Sequence, residues 1–240
     1  MNGAHDMGKV AIITGASRGI GAGLVDGYRQ AGYAVVGVAQ SMPPSSEPDY
    51  LTVEGDISEA DTAQRAVDQA FDRFGRIDTL INNAGIYIGK PFTDYTVDDY
   101  RAVVAVNLTG FFHITQRTIP LMLKQDGGHI VNVSTSLVEH ASSKSPSALA
   151  TLTKGGLAAV TRSLAIEYAS RGLRVNAVSL GVIKTPMHGD PAAYAELAAM
   201  HPLGRMGEVA DVVRGILYLE QATFVTGEML HIDGGQAAGS

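Results

Sequence analysis

Ser147, Ala150, Thr151 and Lys154 are spaced so that all four side chains fall on one face of a helix. A lysine ammonium with hydroxyls beside it can hold and pass protons, and Ser147 or Thr151 would place a water that donates from Lys154. Other groups that can exchange protons lie upstream. These are the hydroxyls of Thr135 and Ser136 at the end of an apolar run, and His140 just beyond. An imidazole titrates near neutrality, at ~6.5 when unperturbed. No tyrosine occurs between Tyr100 and Tyr168, so the set contains no phenol. A second group has a different use. The stretch TGASRGIG, residues 14–21, follows an apolar run and opens a helical pattern. Gly15 permits a tight turn, Gly19 a close backbone approach to a pyrophosphate, and Gly21 close packing of helix on strand.

These residues lie far apart in the chain, so the elements between them must bring them together. Short β-branched runs, KVAIIT (9–14), AVVGVA (34–39), DTLINNAG (78–85), HIVNVST (129–135), LRVNAVS (173–179) and EMLHID (228–233), alternate with helical patterns. The longest helical patterns cover 97–123 and 147–170. The alternation predicts an α/β fold, a doubly wound parallel sheet with helices on both faces. Ligands of such sheets bind outside the carboxyl ends of the strands, where the polar and glycine-rich stretches fall. Residues 41–50 carry three prolines and are expected to form a loop.

The 240 residues read as a single domain, 1–240, with 1–8 as a flexible leader. With no cysteine, neither a disulfide framework nor a thiolate metal site is available, and no metal site is expected. A net charge of −6 gives no footprint for nucleic acid or an anionic membrane. The apolar runs are too short for a bilayer span and the start lacks a signal peptide's pattern, so a cytoplasmic location is expected.

With TGASRGIG at the start, NNAG (82–85), VNLTGFF (106–112), SLGVIKTPM (179–187) and FVTGEMLHIDGG (224–235) follow in order. This series resembles the short-chain dehydrogenase/reductase family from about Lys9 to Gly235. The resemblance implies a Rossmann-type fold, a nicotinamide dinucleotide, a small-molecule substrate, and a homodimer or homotetramer built through the two long helices. By resemblance the cofactor would meet Gly15, Ser17, Arg18, Gly19, Ile20 and Gly21 in the first turn, and Gln40 and Ser41 after the second strand. Asp56 and Ile57 would lie at the adenine, with Asn82, Asn83, Ala84 and Gly85 beyond. Lys154, Gly181, Ile183 and Thr185 would lie at the nicotinamide end, Thr185 holding the carboxamide. Asn107, Thr135 or Ser136, and Lys154 match the family's proton relay. The tyrosine of that relay falls at Ala150. Leu180 stands where the family usually has proline, and 188–207 matches its variable substrate lid, with Met187, His188, Tyr194 and Met200 as pocket residues.

A carboxylate after the second strand would bind the ribose hydroxyls of NAD and repel a 2′-phosphate. Ala39, Gln40 and Ser41 stand there instead, and Arg18 in the glycine turn suits a phosphate, so NADPH is expected ahead of NADH. The chemistry has three readings. In the first, a reductase draws its proton from Ser147, Thr151, Lys154 or His140. In the second, the substrate is an imine that arrives as an iminium and needs no acid. In the third, the chain binds a dinucleotide as a catalytically inactive regulator or partner subunit.

Overall fold

The computed structural model describes residues 8–125, 127–142, 145–188 and 190–239. Seven parallel strands form one sheet: β1 Val10–Thr14, β2 Ala34–Ala39, β3 Tyr50–Glu54, β4 Thr79–Asn82, β5 Gly128–Thr135, β6 Leu173–Leu180 and β7 Met229–Ile232. Their order across the sheet is β3-β2-β1-β4-β5-β6-β7. The chain winds outward from β1 to β3, then returns to the other side of β1 with β4. That reversal opens a crevice at the carboxyl ends of β1 and β4. The central strands are apolar on both sides because helices cover both faces, and β1 is buried along its whole length.

Seven α-helices are described: α1 Gly19–Gln30, α2 Ala60–Phe74, α3 Val97–Val104, α4 Gly110–Lys124, α5 Ala148–Tyr168, α6 Tyr194–Ala198 and α7 Val209–Gln221. One apolar cluster packs α2, α4 and α5 on one face, with Ile12, Leu80, Ile114 and Ile130 at its centre. The other packs α1 and α7 over Ile13, Ile81, Val131 and Val178. The long helical pattern 97–123 is interrupted by one π turn, Ala105–Thr109, which joins α3 to α4. A π turn inserts a residue into the helical ladder and re-aims side chains, and here it carries the buried Asn107. No described helix is long and apolar enough to cross a membrane.

At the amino ends of the strands, opposite the crevice, lies a buried polar cluster. Glu220 of α7 is 8% exposed. Its carboxylate accepts from Tyr28 Oη at 3.1 Å, Tyr33 Oη at 3.2 Å, Thr79 Oγ1 at 2.9 Å and His129 Nδ1 at 2.9 Å. Asn176 Nδ2 donates to His129 Nε2 at 3.1 Å, which fixes the proton on Nδ1. Arg174 donates to the carbonyls of Leu219, Glu220, Ala222 and Val225 and brings a positive charge to the cluster. Burial pushes the Glu220 carboxyl upward, but the His129, Thr79 and Tyr28 donors outweigh it and hold the group at about 2. Burial keeps His129 below its ordinary value, hence neutral.

Candidate active site

The glycine turn is built by contacts that leave no space for side chains. Thr14 Oγ1 accepts from the backbone N–H of Asn83 at 3.1 Å and of Ala84 at 3.0 Å, and Asn83 Nδ2 donates to Thr14 O at 2.9 Å. These bonds tie the end of β1 to the end of β4. Gly15 has φ +68 and Gly19 φ +55, backbone that favours glycine. A Cβ on Gly21 would sit 2.0 Å from Gly15 O. Gly21→Ala is therefore expected to displace the turn and cut dinucleotide affinity by ten-fold or more, read by equilibrium titration; unchanged affinity would contradict the packing argument. Arg18 precedes α1 with no side-chain cap, so the first N–H groups of the helix are left for a ligand. Arg18 and Ser17 are exposed beside it, and Ile20 is half-buried against the core. Thr185 lies over this turn, its Cβ 3.3 Å from where a Gly19 Cβ would be.

At the end of β2, Gln40 and Ser41 are exposed. Gln40 Nε2 donates to Asp56 Oδ2 at 2.8 Å, and Ser58 donates to Asp56 Oδ1 through N at 2.9 Å and Oγ at 2.7 Å. Burial raises the Asp56 carboxyl, but the Ser58 and Gln40 donors bring it below its usual range.

Asn107 and Lys154 come together beside Gly85, beyond the end of β4. Asn107 is 2% exposed. Its Nδ2 donates to Ile86 O at 3.1 Å and to Thr153 Oγ1 at 3.1 Å, while its Oδ1 accepts from Ile86 N at 2.9 Å. Lys154 Nζ donates to Val133 O at 2.8 Å. A Cβ on Gly85 would lie 3.0 Å from that Nζ and 3.3 Å from Asn107 Oδ1, so Gly85 is the point where lysine and asparagine meet. Burial pushes the Lys154 ammonium down to about 8.

The other expected residues take the following positions. Ser136 is 1% exposed and donates to Leu180 O at 3.2 Å and Gln236 Oε1 at 2.8 Å, so it braces the β6 end and does not face Lys154. Thr135 is half-buried at the last position of β5, and its Oγ1 accepts from Leu137 N at 3.3 Å. Asn82 points into the interior, donating to Thr115 Oγ1 at 3.0 Å and Asn132 Oδ1 at 2.9 Å, because β4 is still a central strand there. The Ile57 and Ile183 side chains are buried, Ile57 facing Gly110 and Ile183 facing Gly207. Gly181 packs under His201 and Asp233. Ser147 starts α5 without capping it, and His140 is half-buried after the turn at Ser136, its N–H bonded to Ser136 O at 2.8 Å. Ala150 is 6% exposed, so its methyl is covered and does not open a pocket. Thr14 was expected only as the first residue of the glycine turn. Thr153 and Tyr87 were absent from the sequence expectations and carry no local signal.

The family model described as Enoyl-(Acyl carrier protein) reductase matches residues 15–237. A 3-oxoacyl-(acyl-carrier-protein) reductase FabG of Thermotoga maritima is 35% identical, covering 95% of this chain and 97% of the relative. The chain belongs to the short-chain dehydrogenase/reductase family. The cis-4-hydroxycyclohexanecarboxylate dehydrogenase of Sinomonas cyclohexanicum is 37% identical over 96% of this chain and 97% of the relative. Among solved structures, ElxO with NADP bound superposes with a TM-score of 0.90 at 27% identity, covering 97% of this chain and 100% of that one. A tyrosine-to-phenylalanine variant of ElxO was solved with NADPH bound and gives a TM-score of 0.89. The fold of this short-chain dehydrogenase/reductase thus matches its relatives over nearly its whole length.

Proposed function

We propose that this oxidoreductase is an NADPH-dependent reductase that transfers hydride to the carbon of a C=O or C=N group, without a tyrosine four residues before Lys154. The carrying observation is the meeting of Lys154 and Asn107 at Gly85 on the carboxyl side of the sheet, beside a glycine turn whose helix N–H groups are uncapped. The residues fit a dinucleotide: Gly15, Gly19 and Gly21 sit where side chains would collide, and an uncapped helix start favours phosphate. When bound, the dinucleotide supplies the hydride. Arg18, Gly19 and Ile20 would hold its phosphates, Asp56 its adenine, and Thr185 with Lys154 its nicotinamide end. NADPH is favoured because no carboxylate ends β2, Arg18 is exposed beside the turn, and ElxO binds NADP.

A C=N substrate is supported by Ala150, since an iminium already carries its proton. Homodimer or homotetramer assembly is supported by Phe112 on α4 and Leu152 and Ile166 on α5, which stand 53%, 58% and 81% exposed. The test is NADPH and NADH consumption against matched ketones and cyclic imines, with dinucleotide binding measured alongside. Tight NADPH binding with no turnover of either class would favour the inactive regulator. Arg18→Ala is expected to weaken NADPH by about ten-fold or more, from the ~1.5–3 kcal/mol of a charge-assisted hydrogen bond, and to leave NADH unchanged. Equal losses for both would remove Arg18 from 2′-phosphate recognition.

A further inference from the structure

We propose that Tyr87, on the loop after β4, supplies the proton for reduction of a C=O group; this rests on the reductase reading above and narrows it. The sequence around Lys154 offers no phenol, but the fold brings one to the same mouth from a different element. Asn107 grips both sides of the Ile86 peptide, donating to its O at 3.1 Å and accepting from its N at 2.9 Å. The residue before Ile86 is Gly85, against which the Lys154 Nζ is packed. The residue after it is Tyr87, at most ~7 Å of chain beyond that contact. Its hydroxyl crosses to the start of α5, 3.3 Å from Ser145 Oγ and 3.3 Å from Pro146 O. The phenol therefore lies at the amino end of the helix that carries Ala150 and Lys154, on a backbone positioned by Asn107.

Two features leave this phenol free to act. Both of its hydrogen bonds are long for hydroxyl donors, whose usual range ends near ~3.0 Å, and the residue is 39% exposed. Gly89 also gives the ring its place, because a Cβ there would lie 2.7 Å from the Tyr87 hydroxyl and 3.0 Å from ring atoms Cε1 and Cζ. For proton transfer the hydroxyl leaves Ser145 and Pro146 by a change of side-chain rotamer. The serine and threonine hydroxyls nearby are much weaker acids than a phenol.

In the step itself the carbonyl carbon accepts the hydride, the C=O π pair moves to oxygen, and that oxygen takes the phenolic proton of Tyr87. A C–H and an O–H bond form and the phenol O–H breaks. The carbonyl is reduced to an alcohol, the dinucleotide is oxidised, and the phenolate regains its proton from solvent. An iminium nitrogen is already protonated and asks nothing of Tyr87.

The experiment compares wild type, Tyr87→Phe and Gly89→Ala on matched ketones and cyclic imines with NADPH across pH, with NADPH affinity measured by equilibrium titration. Tyr87→Phe is expected to lower kcat on ketones by ~10²–10⁴-fold, the usual contribution of a general acid, while imine turnover and NADPH affinity hold. Gly89→Ala, which keeps the phenol but shifts it, is expected to lower ketone turnover in the same selective way. Undiminished ketone turnover in Tyr87→Phe, or an equal fall for ketones and imines, overturns the assignment. A wild type that reduces imines alone also overturns it and leaves the reductase reading standing. A wild type that binds NADPH and reduces neither class overturns both.

Discussion

Glu220→Ala is expected to destabilise the protein by about 3–5 kcal/mol, the usual cost of removing one partner from a buried charged network. Four donors, Tyr28, Tyr33, Thr79 and His129, point at that carboxylate, and alanine would leave them buried and unpaired. Glu220→Gln offers little relief, because its amide N–H₂ would face donors where the carboxylate now accepts. The same group sets an acid limit. Its folded pKa of about 2 lies below the ordinary glutamate value, so it contributes stability above that ordinary value and loses it as pH falls toward 2. A shift of roughly two units corresponds to about 3 kcal/mol. Urea unfolding at pH 7 and pH 3 checks both points. A loss below about 1 kcal/mol in Glu220→Ala at pH 7 would show that the cluster relaxes or hydrates.

Lys154→Met is expected to act in the opposite direction on stability while removing function. Burial holds the folded pKa at about 8, whereas an unfolded lysine titrates at ~10.4. The unfolded chain therefore binds more protons between these values, and stability rises with pH across that window. Below it the cost of desolvating the half-buried ammonium applies in full. At pH 7 the methionine variant should unfold at higher urea than wild type, and the gap should close near pH 10. Its NADPH affinity and turnover should fall, since Met cannot hydrogen-bond at the nicotinamide end that Lys154 is proposed to hold. A methionine variant less stable than wild type at pH 7 would mean that the bond to Val133 O outweighs desolvation.

The parallel sheet was legible because each central strand is a β-branched run buried on both faces. β3 was not named from sequence because Tyr50–Glu54 is an edge strand, half-exposed for most of its length. The glycine turn was legible because only glycine meets its steric demands. The choice between Thr135 and Ser136 was not, since strand alternation stops at Thr135 and the following 3₁₀ turn, Ser136–Val138, sets its own directions. Asn107 was named, but its partners were out of reach of local spacing, with Ile86 lying 21 residues away and Thr153 46. The Glu220 cluster went unseen for the same reason, because Thr79 lies 141 residues from Glu220 and Tyr28 lies 192.

The Glu220 cluster joins α1, α7 and the amino ends of β4 and β5, and the loop at Gly85, with Lys154 of α5 against it, lies at the other end of the same strands. Stability and reactivity are therefore anchored at opposite poles, about one strand length apart. Loops at the reactive pole can be exchanged, shortened or emptied of a side chain without loosening what keeps the sheet closed. A chain organised in this way can change its chemistry by drift at one rim while its architecture is inherited intact.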